Sequence, residues 1–219
     1  MYDESKKLMF GVIFLKVIKC CLGVIILCLI SGCSTITSLN PFYLKNDVIA
    51  NDDLLGKWKV IKQNEFAEDE MKINDEELWT FKKNNETNSY ELSVQCENDK
   101  MLFHAVLFRI KDKFFIDLYP KIIYPDSNAE SSILNMQLLP THTVSKITLE
   151  KDRMILEPLK GEWIKDRIIR KKFELSYGVT ENNIILLTAE TEDIKEFLEN
   201  YIDEAFGEGE LTYKFERLE

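Results

Sequence analysis

Residues 90 to 96, Tyr-Glu-Leu-Ser-Val-Gln-Cys, alternate apolar and polar side chains without a break. Successive side chains on a strand point to opposite faces, so this pattern buries one face of a sheet and wets the other. The same alternation sets Trp58 and Val60 against Lys57 and Lys59, and Leu211, Tyr213 and Phe215 against Thr212, Lys214 and Glu216. Strands of a parallel sheet, covered on both sides, do not read this way; half-buried antiparallel strands do. Met101–Ile110 and Phe114–Tyr119 flank the short charged turn Lys111-Asp112-Lys113 and predict a hairpin. Thr143–Leu149 and Arg153–Pro158, around Glu150-Lys151-Asp152, predict another. Leu78–Phe81 and Asn183–Thr188 are further strand candidates, and 124–139 reads as a loop.

One helix stands out against this background. Ile194, Phe197, Leu198, Tyr201, Ile202 and Ala205 recur at helical spacing. Thr191 is placed to cap it, Glu192 and Asp193 favour its positive end, and Gly207 stops it. A shorter helix is expected over residues 162–172, with Trp163, Ile164 and Ile168 on one side. The expected fold is therefore mainly β: an antiparallel barrel of roughly eight strands over residues 54–219, with a C-terminal helix followed by a final strand.

The first 33 residues follow different rules. Lys6, Lys7, Lys16 and Lys19 precede an uncharged run from Cys20 to Gly32. Basic residues, a short apolar region and small residues before a cut are the layout of a secretory signal. The run is shorter than the roughly 20 residues that span a bilayer. Met9 offers an alternative start to Met1. The chain carries a net charge of −10. Loss of residues 1–32 would leave 24 basic against 36 acidic residues, a net of −12. Phosphates repel such a surface, which excludes a nucleic-acid partner. Residues 34–53 lack periodicity and are rich in Ser, Thr, Asn and Asp. They read as a tether spanning roughly 25 Å, within which Pro41, Phe42 and Tyr43 can pack locally.

Leu29-Ile30-Ser31-Gly32-Cys33 resembles the lipobox of bacterial lipoproteins. The resemblance implies cleavage before Cys33, a diacylglyceryl thioether on its sulfur and an acylated new amino terminus. Two or three acyl chains, at about 0.8 kcal/mol per buried methylene, hold a protein durably where one does not. The resemblance makes Cys33 the expected lipidation site, with palmitate or a similar chain, and the membrane the expected partner. Ser34 is compatible with the outer membrane in a diderm organism. Cys20, Cys21 and Cys28 would leave with the signal, so Cys96 remains without a partner for an internal disulfide. Its place in the alternation puts it on the apolar face, where a thiol behaves as a small hydrophobe.

Gly56-Lys57-Trp58 resembles the Gly-x-Trp signature of lipocalins, and the order of elements from residue 54 onward is similar to theirs. That resemblance implies a Trp packed at the closed end of a barrel. It also implies an Arg over the Trp, a role open to Arg217 through a cation–π contact.

Catalytic and metal chemistry find little here. The two histidines are His104 and His142. His104 shares its face with Leu102, Val106 and Phe108 and reads as a core histidine; with Cys96 and His142 it has no metal-ligand spacing. No catalytic set, phosphate loop or metalloprotease motif can be read, so neither an enzyme nor a cofactor is expected. Asp117 either orients a ligand inside the barrel or faces solvent behind a core of Phe114, Ile116 and Leu118; the solvent reading is the stronger. Lys165, Arg167, Arg170, Lys171 and Lys172 form either a headgroup-binding patch or an ordinary solvated helix face. The expected function is that of an envelope protein whose barrel binds an apolar or amphipathic small molecule; the alternative, also open, is a protein-interaction or assembly module with a filled barrel.

Overall fold

A computed structural model describes residues 36–61, 77–84, 87–96, 99–121, 139–170, 174–180, 184–207 and 212–218. Eight of its strands close a barrel: β2 (Gly56–Ile61), β3 (Glu77–Asn84), β4 (Ser89–Cys96), β5 (Asp99–Ile110), β6 (Lys113–Pro120), β7 (Thr143–Leu149), β8 (Arg153–Pro158) and β11 (Tyr213–Leu218). Every neighbouring pair is antiparallel, and β11 closes the wall between β8 and β2. A closed wall leaves no barrel edge to pair with another chain. The mainly β, antiparallel barrel expected from the alternation is the fold observed.

Register carries the alternation around the wall. Trp58 lies opposite Trp79, Trp79 opposite Val94 and Val94 opposite Met101, all pointing inward. These join Phe81, Tyr90, Leu92, Leu107, Ile116, Met154 and Phe215 in one buried cluster, the barrel interior. Cys96 stands at the end of the same row and is half-buried.

A second apolar cluster lies outside the wall. It is covered by α1 (Gly161–Ile169), α2 (Thr191–Ala205) and a small sheet of β1 (Ile36–Ser38), β10 (Ile185–Leu187) and β9 (Tyr177–Val179). The strand expected over 183–188 is β10, and it belongs to this sheet, parallel to β1, rather than to the barrel. Helix α2 buries Ile194, Phe197, Leu198, Ile202 and Ala205, the residues its periodicity selects. Its cap differs from expectation. Glu190 holds the N-cap position without a side-chain bond. The Thr191 hydroxyl instead donates to the Pro41 carbonyl at 3.0 Å.

That bond belongs to the largest departure from the sequence reading. The flexible tether expected over 34–53 is, from Ile36 onward, part of the folded body. Ile36 and Phe42 are buried in the outer core, in the same cluster as Phe108 and Phe115, and the Tyr43 ring lies 5.6 Å from that of Phe108. Val48 bridges Phe108, and the Ile49 amide donates to the Leu107 carbonyl at 2.9 Å. Polar composition hid this strap because its few apolar residues sit at irregular spacing.

Candidate functional site

Each barrel end is built differently. At one end the chain turns through Asp52–Leu54 and drops Leu54 into the barrel interior. Aromatic polar groups from inside fasten this turn. Trp58 Nε1 donates to the Leu54 carbonyl at 2.9 Å. The Tyr90 hydroxyl accepts from the Asn51 amide at 2.7 Å and donates to the Asn51 carbonyl at 3.1 Å. Burial raises the Tyr90 phenol above its ordinary value, so it stays a neutral donor.

Arg217 completes the plug. Its guanidinium lies 4.2 Å from the centre of the Trp58 ring. Its three nitrogens donate to the carbonyls of Leu55 (2.7 Å), Lys151 (2.9 Å) and Asp53. Gly56 takes φ +114°, and a Cβ there would stand 3.3 Å from an Arg217 nitrogen. A side chain at 56 would therefore strain the backbone and crowd the plug. The Gly56–Trp58 motif is thus a structural lock closed by the arginine that sequence pointed to.

The opposite end carries half-buried Val60, Met101, Phe103, Leu118 and Tyr213 around Trp79. Trp79 meets Phe215 edge-on at 5.0 Å. The connections 62–76, 97–98 and 122–138, the last including most of the predicted loop, lie outside the described residues.

A groove of about 330 Å³ opens beside the plugged end, where β6 and β7 part. Their pairing stops at Phe115 opposite Lys146. Lys113 and Phe114 then form one bank, and Ile147, Thr148 and Leu149 the other, with Leu107 and Asn51 behind. Phe114 points along the interior row of Ile116 and Leu118 yet is exposed at the rim, so it is not part of the core. Lys146 on the bank is held by Glu157 at 2.6 Å.

Asp117 faces outward, yet it is 1% exposed, so neither sequence reading holds. The strap covers that wall: the Phe42 amide donates to Asp117 Oδ2 at 3.1 Å, and His142 Nδ1 lies 2.7 Å from Oδ1. His142 and Ser38 also exchange backbone hydrogen bonds of 2.8 and 2.9 Å. The carboxylate thus clamps strap, β6 and β7 together. His104 is half-buried on the same outer wall opposite Tyr119, whereas Cys96 lies on the interior row, so the two cannot share a metal. Among the described residues no group of His, Cys, Asp or Glu could hold a metal ion.

The basic residues of α1 are largely compensated. Arg170 pairs with Asp166 at 2.7 Å, Lys165 with Glu162 at 3.9 Å, and Arg167 with Glu204 at 3.1 Å while lying over Trp163. Lys171 and Lys172 lie outside the described residues, as does Cys33. No described helix is long and apolar enough to cross a membrane. No family model, curated protein or solved structure matches the chain.

Proposed function

We propose that this chain is a lipid-anchored protein of the bacterial cell envelope, whose barrel is a filled scaffold for protein interaction or assembly. One observation carries the choice between the two open functions. Trp58, Phe81, Tyr90, Leu92, Ile116 and Phe215 occupy the barrel interior and are fully buried. Small barrels either hold one ligand or fill with side chains, and this one has a plugged end and aromatic rings on its axis. Its chemistry then lies on its outer surface, and it is not an enzyme. The anchor is the lipobox at Cys33, and Ser34 favours the outer membrane in a diderm host. The plug of Trp58 under Arg217 supports the likeness to lipocalins at the level of architecture.

The groove between β6 and β7 favours a second reading, a small apolar or amphipathic ligand at the rim. Leu107, Ile147 and Leu149 offer it an apolar floor, and about 300 Å³ is the lower limit of ordinary ligand sites.

Labelled palmitate tests the anchor: it is expected on the wild-type chain and absent from Cys33→Ala, whose mass also stays that of the uncleaved precursor. Native mass spectrometry of the purified protein tests the filled barrel. No lipid beyond the covalent chains should be retained, and fatty acids should leave tryptophan fluorescence unchanged. A bound lipid that Phe114→Ala releases would instead establish the rim ligand.

A further inference from the structure

The small sheet carries an apolar row that leaves the core uncovered. Cross-strand partners share a face, so Ile36, Ile185 and Val179 form one row and Ser38, Leu187 and Tyr177 the next. On β1 and β10 these side chains are buried. On β9 the rows emerge: Val179 is 57% and Tyr177 44% exposed. Leu39, just past β1, and Leu139, three residues before the Ser38–His142 bridge, are exposed on the β1 side of the sheet. Among the described residues β9 pairs with β10 alone.

The chemistry of this face is as distinctive as its exposure. Nearly a third of the chain is charged, 30%. Yet the runs 34–44, 139–145, 175–180 and 184–189, which converge on this sheet, contain no Asp, Glu, Lys or Arg. A tyrosine stands among aliphatic residues there, and Tyr favours the membrane–water boundary.

Chain length says what meets this face. β1 begins at Ile36, three residues after Cys33. Three extended residues reach only about 10 Å. The polar layer of one leaflet is itself about 5–8 Å thick. Ile36 would therefore ride at the headgroups, with Val179 two strand spacings, about 10 Å, to its side. We infer that the Tyr177–Val179 edge seats the body directly on the lipid surface. This inference rests on the anchor at Cys33 and adds to it an orientation: the small sheet down, the barrel and its groove turned away from that contact.

The test uses the mature acylated protein in vesicles of phosphatidylcholine and phosphatidylglycerol at 4:1. Hydrogen exchange of the 175–180 amides is compared with that of unacylated protein expressed from Ser34 onward, in buffer. At least tenfold slower exchange on vesicles is expected, with the β7–β8 turn unchanged. In Tyr177→Asp/Val179→Asp, exchange should return to within twofold of the solution rate while the protein stays on the vesicles. Leu218→Asp, an equally exposed change far from the sheet, should leave protection intact, and thermal melting confirms that each variant is folded. Acylated wild type exchanging at the solution rate overturns the seat and leaves the anchor standing. An intact mass without acyl chains overturns the anchor and the seat with it. A dimer of the unacylated protein expressed from Ser34 onward, with 175–180 already protected in buffer, assigns the edge to a second copy and overturns the lipid contact.

Discussion

Arg217 shows how much one side chain can carry in a small barrel. It stacks on Trp58 and satisfies carbonyls of Asp53, Leu55 and Lys151, joining three chain segments at the plug. Arg217→Ala should cost about 2–3 kcal/mol in urea unfolding, from a lost cation–π contact and carbonyls left without a charged donor. Arg217→Lys should recover little, because an ammonium lacks the planar fork that reaches several carbonyls at once. Histidine 104 gives the molecule a pH dependence. Burial, reinforced by Lys121 and less by His142, holds its imidazole below the ordinary value, while Asp117 pulls the other way. The unfolded chain then binds this proton more readily than the folded one. Stability from this group is complete above about pH 6.5 and declines as pH falls from there toward the lower folded value. Denaturant midpoints at pH 7.5 and pH 5 should therefore differ less in His104→Gln than in the wild type.

Among the elements, the strap from Ile36 to Leu55 is the one whose role is least visible in sequence. If it were a loose tether, Phe42→Ala would be silent. Buried in one cluster with Phe108 and Phe115 and with no exposed surface, Phe42 should instead cost about 3–4 kcal/mol when truncated. Chemical denaturation measures it, and limited proteolysis should cut the variant first within 39–50. The contrast with the barrel is instructive. Strand β4 was legible because one buried face imposes a period of two, α2 because it imposes 3.6, and β5 and β6 as apolar runs around a charged turn, since both of their faces are largely buried. The strap obeys no period: Phe42, Ile49 and Leu54 each meet a different surface. Asp117 was misread for a related reason. Its alternation places it outside the barrel correctly, but only the covering strap makes that outside an interior. The Trp58–Arg217 contact was expected only through the likeness of Gly-x-Trp to the lipocalin signature, and the register of β2 with β11 sets the two residues opposite each other. The groove left no signal, since it arises where pairing of β6 and β7 stops.

At the scale of the whole molecule, the proposed anchor at Cys33 would couple location to orientation through the short span to Ile36. A body cut before Cys33 would carry a net charge of −12 and be repelled by anionic headgroups, a repulsion that fades beyond a Debye length of about 10 Å at 0.1 M salt. A neutral apolar edge held within that distance meets the lipid at high effective concentration. Lengthening the span should undo this without touching the fold. With a Gly/Ser insert of about ten residues between Ser34 and Thr35, the edge explores a larger volume and its local concentration at the bilayer falls. The acylated insertion variant should therefore stay on vesicles and melt at the wild-type temperature, because packing begins at Ile36. Its 175–180 amides should exchange several-fold faster than those of the wild type. The gap between the two should widen as the phosphatidylglycerol fraction rises and narrow as salt is added, since the short span works against a repulsion that salt screens. Equal protection in both proteins would mean that the edge finds the membrane by its own affinity, and that the three-residue span is not what orients the body.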